Sequence, residues 1–180
     1  MPKHTHVASL HTSLGDITVN LFGNHAPKTV KNFVDLATGE REWTNPQTGA
    51  ATTAKLYDGV IFHRIIPGFM IQGGDPLGTG TGGPGYQFDD EINPELGFAE
   101  PYVLAMANAG IQGGKGTNGS QFFITVGSAS WLHGKHTIFG ELADDDSRRI
   151  VDKLASVATD SYDRPLDDVV IESVTIDEVA

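Results

Sequence analysis

The apolar positions of this chain fall into short runs separated by polar and glycine-rich breaks, and only two stretches carry helical spacing. VASLHTSLGDITVNLF, Val7 to Phe22, reads as two alternating strands around a turn at Leu14-Gly15-Asp16. Strand-like runs recur at Val60 to Ile66, Phe69 to Gln72, Tyr102 to Ala107, Gln121 to Val126, Thr137 to Leu142 and Val169 to Ile176. Between Pro27 and Thr38 the spacing changes. Val30, Phe33, Val34 and Ala37 form one stripe, Pro27 suits a first helical position and Gly39 can end the helix. A second helix fits roughly Asp146 to Val157, with Ile150, Val151, Leu154 and Val157 on one face. Its acidic start, Asp144 to Asp146, complements the helix dipole. Thr44 to Ala54 has little apolar content and reads as a polar loop.

Many short strands, two helices and 22 glycines predict an antiparallel β-barrel or sandwich. The strands do not alternate with helices, which argues against a doubly wound α/β fold. Helices near the beginning and near the end are placed to plug the openings of a barrel. With 180 residues, no internal repeat and no linker, the expectation is one domain spanning 1–180.

Composition narrows the function classes. Apolar residues make up 39% of the chain and charged residues 19%, the balance of a globular protein. Cysteine is absent, which excludes disulfides and cysteine-based metal sites and is compatible with a reducing compartment. The first residues, MPKHTHVASLHTS, lack a basic segment followed by an apolar one, and no run approaches the roughly 18 apolar residues of a membrane span. The expectation is a soluble cytoplasmic protein. A formal net charge of −11 would be repelled by nucleic acid and by anionic membranes, so neither is expected as a partner.

The richest chemistry lies in FHRIIPGFMIQGGD, Phe62 to Asp75, where a single arginine, Arg64, stands in an apolar run and Phe69, Met70 and Gln72 follow. A buried guanidinium is costly unless paired, and it cannot lose its proton. The run therefore holds either a structural ion pair or a permanent donor beside an apolar cleft. LAMANAG, Leu104 to Gly110, adds Ala107, Asn108 and Ala109. NGSQFFITVGSASWLHGKHTIFG, Asn118 to Gly140, adds Gln121, Phe123, Trp131, Leu132 and His136. No Ser-His-Asp signature, GxSxG turn or cysteine nucleophile is present. Apolar surface, amides and one cation suit binding an extended peptide and twisting it rather than cutting it. Taken singly, Phe69, Met70, Phe123 and Leu132 read more readily as core than as pocket. His136, Asn108 and Gln121 read equally as partners of local backbone, and Trp131 as surface cover.

Other motifs fail on context. Gly78, Gly80 and Gly83 match GxGxxG, but Pro84-Gly85 stands where a helix should begin. Gly114-Lys115 lacks the Ser or Thr of a phosphate loop, since Gly116 occupies that place. The seven histidines show no ligand spacing, so no metal site is expected.

Over nearly its whole length the chain resembles the cyclophilins, the cyclosporin-binding peptidyl-prolyl cis-trans isomerases. FHRIIPGFMIQGGD, GTGGPGYQFDDE, LAMANAG, TNGSQFFIT and WLHGKHTIFG are similar to that family's segments and stand in its order, and NHAPKTVKNFVDLATGE is similar to its first helix. The resemblance implies a mainly β fold, a closed eight-stranded antiparallel barrel with a helix closing each end. It implies Arg64 as the catalytic arginine and Phe69, Met70, Phe123, Leu132 and His136 as the pocket for the proline ring. By the same resemblance Gln72, Ala107, Asn108 and Gln121 line or bind the peptide. Gly80 and Ala109 belong to a neighbouring pocket for upstream residues, and Trp131 to binding of the cyclosporin macrocycle. It implies no cofactor and a monomer acting on proline-containing segments of unfolded or flexible polypeptides. A second reading is a proline-peptide binding or chaperone module with little catalysis. Two departures stand out: a longer, glycine-rich link Ile111 to Gly116, and a longer loop Glu42 to Leu56.

Overall fold

A computed structural model of the chain describes residues 3–179. Strands β1 (His6–Thr12) and β2 (Gly15–Leu21) form the first hairpin, paired from His6↔Leu21 to Thr12↔Gly15. The loop is therefore Ser13-Leu14, and Gly15 opens the second strand instead of sitting in the turn. Helix α1 spans Pro27–Thr38, and Gly39 closes it in the left-handed conformation (φ 81°). The expected polar loop contains a two-stranded ribbon, β3 (Trp43–Thr44) with β4 (Ala51–Thr52). It is held because Trp43 is buried and its indole N–H donates to the Ala54 carbonyl at 2.8 Å. One buried tryptophan organises the ribbon, a signal too small for periodicity to register.

The remaining strands are β5 (Val60–Ile61), β6 (Arg64–Ile66), β7 (Met70–Gly73), β8 (Val103–Met106), β9 (Phe122–Thr125), β10 (Ile138–Leu142) and β11 (Val170–Glu178). Helix α2 (Asp145–Ala155) precedes β11, and a single 3-10 turn, Ser130–Leu132, lies between β9 and β10. Nine strands form one antiparallel sheet in the order β5-β11-β1-β2-β10-β8-β9-β7-β6. The two edge strands are halves of the run Val60 to Ile66. Its first half pairs with β11 and its second with β7, so the bent run joins the edges and curls the sheet shut. Counting the two halves as one strand recovers the expected eight; hydrogen bonding splits it at Phe62-His63.

The interior is one apolar cluster that includes Leu10, Ile17, Val19, Ile71, Leu104, Phe122, Ile124 and Phe139 of the sheet. Val30, Phe33 and Leu36 of α1 join it, as do Val151 and Leu154 of α2. The Phe33 ring meets Tyr57, Phe122 and Phe139 at centroid separations of 4.9, 5.9 and 5.6 Å. Helix α1 has no side-chain cap of its own at Ala26. Glu91, distant in sequence, supplies it by accepting from the Thr29 N–H at 2.7 Å and the Lys28 N–H at 3.2 Å. Helix α2 is capped locally: Asp144 accepts from the Ser147 N–H at 2.8 Å, and hydrogen bonding from Ser147 holds its carboxyl below the ordinary value. Among the described residues no helix is long and apolar enough to cross a membrane.

Candidate active site

Alternation along the strands sends every second side chain to the outside of the barrel, and register decides which of these meet. In one row across four strands Arg64 pairs with Gln72, Gln72 with Phe123 and Phe123 with Ala105. The flanking residues Ile65, Ile71, Phe122 and Leu104 belong to the interior. Partners in a ladder row project to the same side. Arg64 and Gln72 of one hairpin are thereby lined up on one outer face with Phe123, about fifty residues on in sequence. Met70, one row away, sits opposite Thr125.

This face is not bare. A second apolar cluster covers part of it, made of Met70, Ala105, Phe123 and Ile138 with Phe22, Leu96, Phe98 and Ala129. The cover stops short beside Arg64 and leaves a hollow of about 210 Å³. Met70 and Phe123 form its buried base, at 2% and 4% exposure. Phe69, Leu132 and His136 are partly buried and line it, with Ala107 and Asn108. Arg64 and Gln72 complete the lining. Met70 and Phe123 are thus buried against the cover and still face the hollow.

Arg64 is exposed, and among the described residues no carboxylate lies within ion-pair distance of it. The ion-pair alternative fails. The guanidinium has one long contact, 3.5 Å from Nη1 to the Gln72 amide oxygen. The Gln72 amide in turn donates to Gln121 Oε1 at 3.0 Å. His136 Nδ1 lies 2.9 Å from the Met106 carbonyl, so Nδ1 carries the hydrogen and donates. The His136 ring stands edge-on to Phe123, centroids 5.3 Å apart. The Asn108 side chain is engaged locally, donating to the Lys135 carbonyl at 2.9 Å and accepting from the Gly110 N–H at 3.0 Å. What Asn108 offers a peptide is its main chain. Among the described residues neither its N–H nor its carbonyl has a hydrogen-bond partner.

A second depression, about 550 Å³, adjoins the first and shares Gln72, Ala107 and Asn108 with it. Gly80 and Ala109, which the resemblance assigns to a neighbouring pocket, line this one, and so does Gln121. Thr117, at the end of the longer link, is one wall, and the others were not singled out from sequence: Gly82 to Gly85, Tyr86 and Gly119. The glycine density of the segment Gly78 to Gly85 was the available signal. The Tyr86 hydroxyl is pushed up to about 12 by burial and donates to Asn32, so it serves structure and not proton transfer. Trp131 lines neither depression. It is 61% exposed at the edge, its ring 5.6 Å from that of Phe69. The Ile111 to Gly116 link is a small hairpin, closed by Gln112 and Lys115 around Gly113-Gly114 at positive φ.

The fold and the site together define a class: a β-barrel with an apolar socket on its outer face next to an exposed guanidinium that has no carboxylate partner among the described residues. Residues 7–176 match the family model described as cyclophilin type peptidyl-prolyl cis-trans isomerase/CLD. Peptidyl-prolyl cis-trans isomerase B of Streptomyces anulatus is 63% identical over 171 residues, which cover 94% of this chain and 95% of that protein. Peptidyl-prolyl cis-trans isomerase A of Mycobacterium tuberculosis is 58% identical over 175 residues, covering 97% and 94%. A cyclophilin type isomerase of Cryptosporidium parvum, crystallised in the presence of the dipeptide Ala-Pro, superimposes with a TM-score of 0.81 at 37% identity, covering 95% of this chain and 98% of its own. The chain belongs to the cyclophilin-type peptidyl-prolyl cis-trans isomerases, and its reaction is rotation about X-Pro peptide bonds.

Proposed function

We propose that Arg64 supplies the transition-state donor for this rotation and that the apolar hollow holds the proline ring. Rotation about a peptide bond crosses a barrier of about 18–20 kcal/mol, set by amide resonance. No covalent bond breaks. At the top of the barrier resonance is lost and the proline nitrogen regains a lone pair, which is a better hydrogen-bond acceptor than any nitrogen of the planar amide. A guanidinium aimed at that nitrogen binds the twisted state in preference to the planar one, which is what acceleration requires. One such donor contributes on the order of 3–4 kcal/mol, or two to three decades of rate.

The observation that carries this reading is the unpaired, exposed Arg64 guanidinium on the lining of a hollow based on Met70 and Phe123. Phe69, Leu132 and His136 would grip the ring. The main chain of Asn108 would pair with the peptide backbone on one side, leaving the other side free to turn. Substrates are X-Pro bonds exposed in unfolded or flexible polypeptides, and slow isomerisation of such bonds is what makes the activity useful in folding. A cyclosporin-type macrocycle would cover the same hollow and extend over Trp131, whose exposure beside Phe69 supports that reading.

The test is exchange spectroscopy of an Ala-Pro peptide by NMR with substoichiometric protein. Arg64→Ala is expected to lose about a hundred- to a thousandfold in kcat/KM. Full exchange activity in that variant would remove the arginine from catalysis. Peptide binding with no exchange in the native protein would favour a receptor.

A further inference from the structure

Asp75 takes no part in the chemistry described so far, yet its carboxylate is almost completely buried, at 1% exposure. A buried carboxylate needs compensation, and no cation lies within ion-pair distance among the described residues. It receives backbone donors instead. The N–H groups of Leu77, Thr79, Gly80 and Gly82 reach it at 2.8, 3.1, 2.7 and 3.1 Å. The chain from Leu77 to Gly82 is folded around this anion. Gly82 has to be glycine there, because a Cβ would stand 2.2 Å from Asp75 Oδ1. From the outside, Arg164 ties the same loop by donating to the Gly78 carbonyl at 2.7 Å.

The fixed loop turns two carbonyls toward the site. Gly80 and Gly82 each accept from the Gln121 amide nitrogen at 3.0 Å, so both hydrogens of that amide are engaged. A carbonyl can only accept. Gln121 must therefore present nitrogen to the loop and oxygen to Gln72. Gln72 must then donate to that oxygen, at 3.0 Å, and present its own oxygen to Arg64 Nη1. Had Gln72 turned over, alone or to follow a turned Gln121, its NH2 group would face the guanidinium, donor against donor. At 3.5 Å the last contact is long, but its polarity is dictated from the loop.

We infer that Asp75 is a positioning residue for Arg64, acting through the Gly80 and Gly82 carbonyls and the Gln121-Gln72 amide relay. This inference rests on Arg64 being the catalytic donor. The loop is also a wall of the second depression, through Gly80, Thr81 and Gly82. The same carboxylate that shapes the groove for upstream residues therefore sets the orientation of the arginine beside the proline.

A double-mutant cycle tests it, using exchange NMR on the Ala-Pro peptide and the side-chain amide signals of Gln72 and Gln121. Asp75→Ala is expected to lower kcat about tenfold with KM changed by less than about twofold, and to shift both amide signals. In an Arg64→Ala background the same substitution should change kcat by less than about twofold, because the relay then has no terminus. An equal loss in both backgrounds, or unmoved amide signals, overturns the relay. Gln121→Met leaves the Asp75 loop intact and cuts the relay, so it should reproduce the kcat loss even if Asp75→Ala fails to fold; full kcat in Gln121→Met overturns the inference. Full activity in Arg64→Ala alone would instead defeat the catalytic reading of the arginine. Loss in Arg64→Ala with no loss in Asp75→Ala defeats only the relay.

Discussion

The two depressions lie side by side and share Gln72, Ala107 and Asn108, but they are made of different material. The smaller is formed by large side chains, Phe69, Met70, Phe123, Leu132 and His136, held by a dedicated apolar cover. The larger is formed by backbone and small residues, among them Gly80, Gly82, Gly83, Gly85, Ala109 and Gly119. A socket of rings and thioether has a fixed shape, suited to one ring. The larger depression is walled mostly by backbone and small residues, with Gln72, Tyr86 and Gln121 among its few larger side chains, so less of its shape is set by side chains. On the proposed reading, selectivity for proline and tolerance for its neighbours would come from two construction methods on one face.

The comparison can be broken most severely at Phe123. It packs on Phe98 with ring centroids 6.1 Å apart and underlies His136. Phe123→Ala is expected to cost about 3–5 kcal/mol of stability. It should also abolish measurable capture of an Ala-Pro peptide, read together by urea unfolding and peptide titration. An intact hollow in that variant would mean that the cover, and not the ring, shapes it. A smaller effect should sharpen the contrast from the other side. Ala109→Trp fills the second depression, so peptides with a bulky residue two before proline should lose about tenfold in kcat/KM. Turnover of the short Ala-Pro peptide should change by less than about twofold. Equal losses for both peptides would show that the depressions do not act separately.

The smallest effect is one of pH. His63 is buried under the second depression, where a Cβ on Gly80 would stand 3.2 Å from its Nε2. Burial pushes its pKa below the ordinary 6.5, opposed by Asp75 and reinforced by Arg164 and Arg64. The unfolded chain therefore binds a proton that the folded chain refuses. Stability from this group is complete above about pH 6.5 and falls as pH drops from there toward the folded pKa. His63→Asn is expected to flatten this part of the stability profile, measured as urea midpoints between pH 7 and pH 5. Amide exchange at Thr79 to Gly82 should quicken at acid pH in the native protein while the Phe123 region is unaffected. Parallel profiles for the native protein and the variant would remove His63 as the source.

Some of this was legible in the residues. Helix α1 carries its proline start, apolar stripe and glycine stop within thirteen consecutive positions, so local spacing sufficed. The lone arginine in FHRIIPGFMIQGGD announced the site because a permanent charge in an apolar run demands a reason. The resemblance named the residues that line the hollow, and all but Ala107 are large or chemically distinctive. The β3–β4 ribbon, the Glu91 cap on α1 and the walls of the second depression were not legible in the same way. Each depends on a backbone group meeting its partner, eleven residues away in the ribbon and sixty-two at the Glu91 cap, and glycines and carbonyls carry no side-chain label to mark the meeting.

What the chain alone determined is therefore the alphabet of the site: short alternating strands, two helices, one arginine and a set of rings. Alternation of period two states that half the side chains face each way, but not which half faces water. That choice came from the pairing of β6 with β7, β7 with β9 and β9 with β8, which put Arg64, Gln72 and Phe123 in one outer row. Register is a long-range quantity, fixed when hydrogen bonds close between segments tens of residues apart. Only the closed sheet could decide that the arginine faces solvent without a carboxylate beside it.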